Sequence, residues 1–121
     1  MKTNNYGLNG EQIAVNHLIS EGYSILDRNW RGGHKELDIV ARKEDTLVIV
    51  EVKRRANNLY GDAVSAITDR KIRCIIAATN AYVRKYSIDL PIRFDVITIT
   101  GIGRQMQIEH IVNAFFAPLW N

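Results

Sequence analysis

Asp38, Glu51 and Lys53 stand inside two apolar runs rich in Ile and Val, Glu36-Leu37-Asp38-Ile39-Val40 and Leu47-Val48-Ile49-Val50-Glu51-Val52-Lys53. The runs flank a short polar turn, Lys43-Glu44-Asp45-Thr46, and read as a β-hairpin of two mostly buried strands, roughly Glu36 to Arg42 and Leu47 to Lys53. Side chains in a strand alternate faces, so Glu36 and Asp38 share one face of the first strand, and Glu51 and Lys53 share one face of the second. A register that joins those faces brings three carboxylates and an ammonium to one place. Burying unpaired charge costs several kcal/mol per group, and a sheet built only for stability would carry Val or Thr there. Hard divalent cations such as magnesium or manganese take oxygen ligands, usually one or two carboxylates plus waters and substrate phosphates. Asp38, Glu51 and the carbonyl of Val52 can supply such oxygens. A metal held there would lower the pKa of a water, while Lys53 would orient that water or neutralise a scissile phosphate.

The elements that must position these groups follow from periodicity. Asn9, with Gln12 three residues on, makes a capping box for a helix from about Gly10 to Glu21. Ala14 and Leu18 mark its buried stripe, and Glu11 falls on the same stripe, either as a first-turn acid favoured by the helix dipole or as a group aimed at the charged hairpin. Tyr23 to Arg28 reads as a strand and Asn29 to Lys35 as a glycine-marked loop. Arg54 to Gly61 is polar and irregular, either solvated or a phosphate-facing edge. A helical pattern runs from Asp62 to Tyr86, broken near Thr68-Asp69, with Ile67, Cys74, Ala78 and Tyr82 as its stripe. Lys71 fills the gap in that stripe, by snorkelling or by reaching the hairpin. Ile92 to Thr100 reads as a strand, Gly101-Ile102-Gly103 as a turn and Arg104 to Ile111 as a last strand. The apolar stretch Val112 to Trp120 reads as a short helix or a subunit contact.

Length and composition bound the classes. The 121 residues suit one compact domain, residues 1–121, with a hydrophobic content of 46% that is ordinary for a globular protein. No apolar run approaches the ~20 residues that span a bilayer, and no signal segment follows Met1, so a cytoplasmic protein without membrane contact is expected. A single cysteine, Cys74, excludes an internal disulfide and a cysteine-rich zinc site. His17, His34 and His110 are scattered and read as surface or loop residues. The net charge of +3 is compatible with nucleic acid. Arg31, Arg54, Arg55 and Arg73 are the candidate phosphate contacts, and Trp30 and Tyr60 the candidate stackers on bases, packing being the ordinary alternative for both.

Asp38…Glu51-Val52-Lys53 resembles the PD-(D/E)xK signature of the restriction-endonuclease-like superfamily. Gly10-Glu11, Gly22-Tyr23, Arg28-Asn29-Trp30-Arg31, Glu36-Leu37-Asp38, Val50-Glu51-Val52-Lys53-Arg54, Tyr60-Gly61, Lys71 and Arg93-Phe94-Asp95-Val96 together resemble, in order, the YraN-like family of small bacterial proteins, itself similar to archaeal Holliday-junction resolvases. The resemblance implies an α/β restriction-endonuclease-like fold, a mixed central sheet flanked by helices with an αβββαβ core. It implies a magnesium or manganese site from Asp38 and Glu51, completed by Glu11. Lys53 would be the catalytic lysine, and Lys71 the polar residue leaning in from the next helix. Leu37 stands where many superfamily members have proline, and Lys35 where glycine is expected; neither departure removes a catalytic group.

Three function classes fit these residues. The first is a metal-dependent endonuclease acting on DNA phosphodiesters, branched (Holliday-junction-like) DNA among them, for which two symmetric cuts make a two-fold homodimer natural. The second is a non-catalytic nucleic-acid-binding or adaptor module that keeps the fold. The third is a structural ion-pair network in which Lys53 and Lys71 neutralise Asp38, Glu51 and Glu11.

Overall fold

A computed structural model of the chain describes residues 9–55, 67–101 and 103–116. Helix α1 spans Gly10–Ser20, capped by Asn9, whose side chain accepts the Gln12 amide at 2.8 Å. The capping box is only half formed, because the Gln12 side chain turns forward to Asn16 (2.9 Å). Ile13, Ala14, Val15 and Leu18 are the buried face. The helix stops at Glu21, and Gly22 adopts a φ of +88° that lets the chain reverse into the sheet.

Strands β1 (Ser24–Gly32), β2 (Lys35–Lys43) and β3 (Thr46–Arg55) form an antiparallel meander. The expected loop from Asn29 to Lys35 is a correction: Asn29, Trp30 and Arg31 continue β1, and only Gly33 and His34 turn the chain. Cross-strand pairing outweighs local turn propensity here, since Arg28↔Ile39, Trp30↔Leu37 and Arg31↔Glu36 extend one ladder. Gly33 supplies the positive φ (+65°) that so short a turn needs. Trp30 is 7% exposed and meets the Tyr82 ring edge-on at 5.3 Å, so it is a core residue and not a base-stacking platform.

Helix α2 (Asp69–Lys85) starts at Thr68, whose hydroxyl accepts the Lys71 amide. It carries the crossover from β3 to strand β4 (Ile92–Thr100), which lies parallel to β3. The helical pattern expected before Ile67, and Tyr60 with it, fall on residues 56–66, outside those described. The expected stripe needs a second correction. Cys74 is exposed, and the buried face is Ile75, Ile76, Ala78, Thr79 and Tyr82. Ile67, Ala78 and Tyr82 of the expected stripe are buried, and only Cys74 falls off it, because Ile67 precedes the helix and the count carried from it into the first turns slips by one position.

Strand β5 (Gln107–Phe115) pairs antiparallel with β4 after a 3-10 turn at Gly103–Gln105. Val112 to Phe115, expected as a terminal helix or a subunit contact, are not helical but extend this strand, and Phe115 stacks on Phe94 at 5.1 Å. Residues 117–121 lie outside those described. His110 is also corrected: it sits within β5 with an 11% exposed side chain.

The sheet order is β1-β2-β3-β4-β5, so the mixed sheet places β3 at its centre. Helix α1 packs one face, where Ile13 and Leu18 join Ile39, Val48, Val50 and Ile97. Helix α2 packs the other, where Ile75 and Tyr82 join Val40, Leu47, Ile49 and Phe94. The chain is thus a mixed α/β protein with the expected order of helix, three strands, helix and two strands, the last of them β5. Among the described residues no helix is long and apolar enough to cross a membrane.

If Trp30 is core, Trp30→Ala will lower the free energy of unfolding by roughly 3–5 kcal/mol. Chemical denaturation measures this, and an unchanged stability would return Trp30 to the role of a surface contact.

Candidate functional site

The site forms where β2 and β3 stop pairing. Their ladder ends at Ile39↔Val50, and the same register sets Asp38 opposite Glu51. Instead of a further ladder bond, Asp38 Oδ2 accepts the backbone N–H of Val52 at 2.9 Å. Alternation then decides the face. Val40 and Ile49 belong to the α2 side of the core, so Asp38, Glu51 and Lys53 point to that side as well. Helix α2 brings Lys71 in its first turn, with Nζ 3.5 Å from Glu51 Oε1. The lysine that interrupts an apolar pattern thus meets the glutamate that interrupts a buried strand.

Glu51 is 7% exposed, and its carboxyl pKa is raised to about 7. Burial is the largest cause and the Asp38 charge the next. Lys71 and Lys53 pull the value back, and a hydrogen bond with Asp38 raises it further. Near neutral pH the pair therefore carries less negative charge than two free carboxylates, and one added cation would let both ionise. A hard divalent cation meets that need with two carboxylates, filling its other positions with water or substrate oxygens. Among the described residues no group of three or more His, Cys, Asp or Glu side chains gathers to hold a metal, so the protein's own share is this pair.

The remaining candidates are placed apart from the pair. Glu11 is largely buried, but its Oε1 is taken by Arg28 Nε at 3.0 Å, and α1 packs the opposite face of the sheet. The groups acting on Glu51 are Asp38, Lys71 and Lys53. Glu36 is exposed and faces Arg31 at 3.7 Å, so the expected third carboxylate does not join. Arg54 runs its side chain beside the first turn of α1, where a Cβ on Gly10 would lie 3.6 Å from Arg54 Cδ. The carbonyl of Arg55 accepts the Gly101 amide at 3.0 Å. Arg73 is exposed on α2.

Residue-by-residue reading missed a second charged cluster. Asp95 is fully buried on β4 and accepts four hydrogen bonds: Arg93 Nε to Oδ1 (3.0 Å), Arg93 Nη2 to Oδ2 (2.8 Å), His110 Nε2 to Oδ2 (2.7 Å) and the Asn113 amide to Oδ1 (3.1 Å). Burial pushes its pKa up, but the bonds from His110, Arg93 and Asn113 and the Arg93 charge outweigh it, and the pKa is lowered. The only sequence signal was the Arg93-Phe94-Asp95-Val96 motif. The partner His110 lies fifteen residues away, on a strand whose pairing no local pattern specifies.

The profile of the Uncharacterised protein family UPF0102 matches residues 10–99. The chain belongs to this family. A UPF0102 protein of Phocaeicola vulgatus is 52% identical over 117 residues, covering 97% of both chains. One from Bacteroides thetaiotaomicron is 48% identical over the same length and coverage. One from Flavobacterium johnsoniae is 39% identical, covering 93% of this chain and 95% of its own. UPF0102 is the YraN-like family that the sequence motifs resemble. The matched span takes in Glu11, Asp38, Glu51, Lys53 and Lys71, so every candidate catalytic side chain lies in the part of the chain that defines UPF0102.

The raised pKa of Glu51 has a signed consequence for stability. Between its ordinary value of 4.5 and about 7, the folded chain holds a proton that the unfolded chain has lost. Stability at this residue therefore falls as pH rises through that window. His17 opposes it in the acid half: burial, then the neighbouring His110, lower its pKa against a smaller opposite pull from Glu21, so acid destabilises the fold there. The difference between wild type and Glu51→Gln isolates the carboxylate. In metal-free buffer near pH 8, Glu51→Gln should be more stable than wild type by on the order of 2–3 kcal/mol, the gap closing towards about pH 4. Thermal melts across pH test this. A variant less stable than wild type at pH 8 would mean that the two lysines already satisfy the pair.

Proposed function

We propose that this UPF0102 chain is a metal-dependent endonuclease of the restriction-endonuclease-like fold that hydrolyses DNA phosphodiester bonds, branched DNA among its substrates. The observation that carries this reading is the Asp38–Glu51 pair at the fork of two strands, Glu51 buried and Asp38 half-buried, with Lys53 and Lys71 beside it and short of positive charge. Structural ion pairs gain nothing from leaving a carboxylate half-titrated at neutral pH, whereas a site that loads a cation does. Asp38 and Glu51 would hold magnesium or manganese, which supplies Lewis-acid activation of water and charge neutralisation at phosphorus when bound. Asp38 is oriented for this by the Val52 amide, which occupies Oδ2. Lys71 steadies the Glu51 carboxylate. Lys53, on the same strand face as Glu51, sets its ammonium where a scissile phosphate adds negative charge. Glu11 is engaged by Arg28, and this reading gives it no ligand role.

The adaptor reading has one observation in its favour: only two carboxylates gather among the described residues, with Glu11 locked away. Cleavage of labelled four-way junction, flap, single-stranded and duplex DNA with magnesium or manganese separates the two. Wild type should cut at least one substrate, and Asp38→Asn and Lys53→Ala should each lose at least about a hundredfold in rate. Magnesium should raise the melting temperature of wild type but not of Asp38→Asn. Binding without cutting by all three proteins would establish the adaptor. No cutting, no binding and no magnesium effect would leave a structural network.

A further inference from the structure

Helix α2 carries five lysines and arginines (Arg70, Lys71, Arg73, Arg84, Lys85) against one acid, Asp69, a net charge of +4. The whole chain is +3, so all of it outside this helix sums to −1. The positive charge of the protein is thus concentrated on one element, the one that delivers Lys71 to Glu51.

At about 100° per residue, Arg70, Arg73 and Arg84 fall within a sector of roughly 60°. That sector is opposite the buried face of Ile75, Thr79 and Tyr82, and all three arginines are exposed. Between them the same side of the helix carries Ala77, Asn80 and Ala81, which are small and uncharged. None of the three takes part in an ion pair among the described residues.

Helix stability does not account for this placement. Cations are favoured in the last turn, which suits Arg84 and Lys85, but they are disfavoured near the N-terminus. Arg70 is the second residue of α2, where the helix dipole opposes a cation, and Arg73 lies one turn on, where the dipole no longer favours or opposes it. A polyanion lying along the helix would reverse that balance.

We infer that the outer stripe of α2 is the track for the sugar-phosphate backbone of a nucleic acid leading away from the Asp38–Glu51 site. This deepens the nuclease reading and rests on it. Arg70 to Arg84 spans fourteen residues, or about 21 Å of helix. That length matches roughly six steps of a duplex rising 3.4 Å each. The substrate is therefore a duplex arm of at least about six base pairs on one side of the scissile phosphate. The contacts are to phosphates and do not read base sequence. An acidic protein would also be attracted, but the first turn of α2 carries both Lys71, turned to Glu51, and Arg70, about 100° round the helix at the start of the stripe, so a nucleic acid whose phosphate reaches the proposed site passes the stripe as it leaves.

The experiment is the salt dependence of binding to labelled duplex-arm DNA in metal-free buffer, between about 50 and 200 mM salt, for wild type and the Arg70→Gln/Arg73→Gln/Arg84→Gln triple variant. Each phosphate that an arginine no longer neutralises should lower the slope of log K against log salt by about 0.9, so the triple variant should fall by between about 2 and 3. Its melting temperature should not drop. A double variant of exposed arginines elsewhere, Arg42→Gln/Arg104→Gln, should keep the wild-type slope. With metal, wild type should cut long arms faster than arms of about three base pairs, and the triple variant should lose that preference. If the triple variant does not fold, Arg84→Gln alone should lower the slope by about 0.9. Wild type that cuts DNA beside a triple variant with an unchanged slope overturns the track and leaves the nuclease. Wild type that binds no nucleic acid but binds anionic vesicles or an acidic protein through these arginines overturns both.

Discussion

Strand β3 lies at the centre of the sheet with a helix on each face, so its middle, Leu47 to Glu51, is buried. Val48 and Val50 meet α1, and Leu47 and Ile49 meet α2. Four residues of continuous apolar strand therefore commit Glu51 to the interior before any partner is considered. Its neighbours then follow as compensation. Asp38 must leave the ladder to bond the Val52 amide, and Lys71 must turn inward from a helix whose other cations face solvent. The fork between β2 and β3 is where the backbone makes room for that chemistry.

The two buried acids solve the same problem in opposite ways. Asp95 is saturated, with bidentate Arg93, His110 and a backbone amide together overcoming the cost of burial, so it stays ionised and ties β4 to β5. Glu51 is under-compensated, because its strongest neighbour after burial is another carboxylate. A saturated acid has no capacity left for a ligand, whereas an under-compensated one gains from binding a cation. That contrast, within one sheet, makes Asp95 a tie between strands and the Asp38–Glu51 pair the place for the cation proposed above.

Helix α2 works on both of its sides. Its apolar face closes the core against Trp30, Phe94 and Ile49, and its outer face concentrates the positive charge of the molecule. Between the two, Lys71 reaches the site at the helix edge. An amphipathic helix that only covered a sheet would have balanced its outer charges. The bias on α2 is what the proposed phosphate track uses.

The sequence by itself determined the element order, the hairpin of Glu36 to Lys53 and the grouping of Asp38, Glu51 and Lys53. Each rests on short-range regularities: a period of two in strands, a period of 3.6 in helices, and charges that break them. Lys71 was legible for the same reason, as a charge inside an apolar stripe, although the stripe itself was drawn through Cys74 when Ile75 and Ile76 are the buried pair. Only the tertiary structure decided the rest. Whether Asn29 to Arg31 were loop or strand depended on pairing with β2, and whether His110 was surface or core depended on Asp95, fifteen residues distant. Glu11 shows the limit most plainly. Its position on the α1 stripe was readable, but whether it reached the metal pair or Arg28 depended on which sheet face α1 covers, a choice made by packing between residues far apart in the chain.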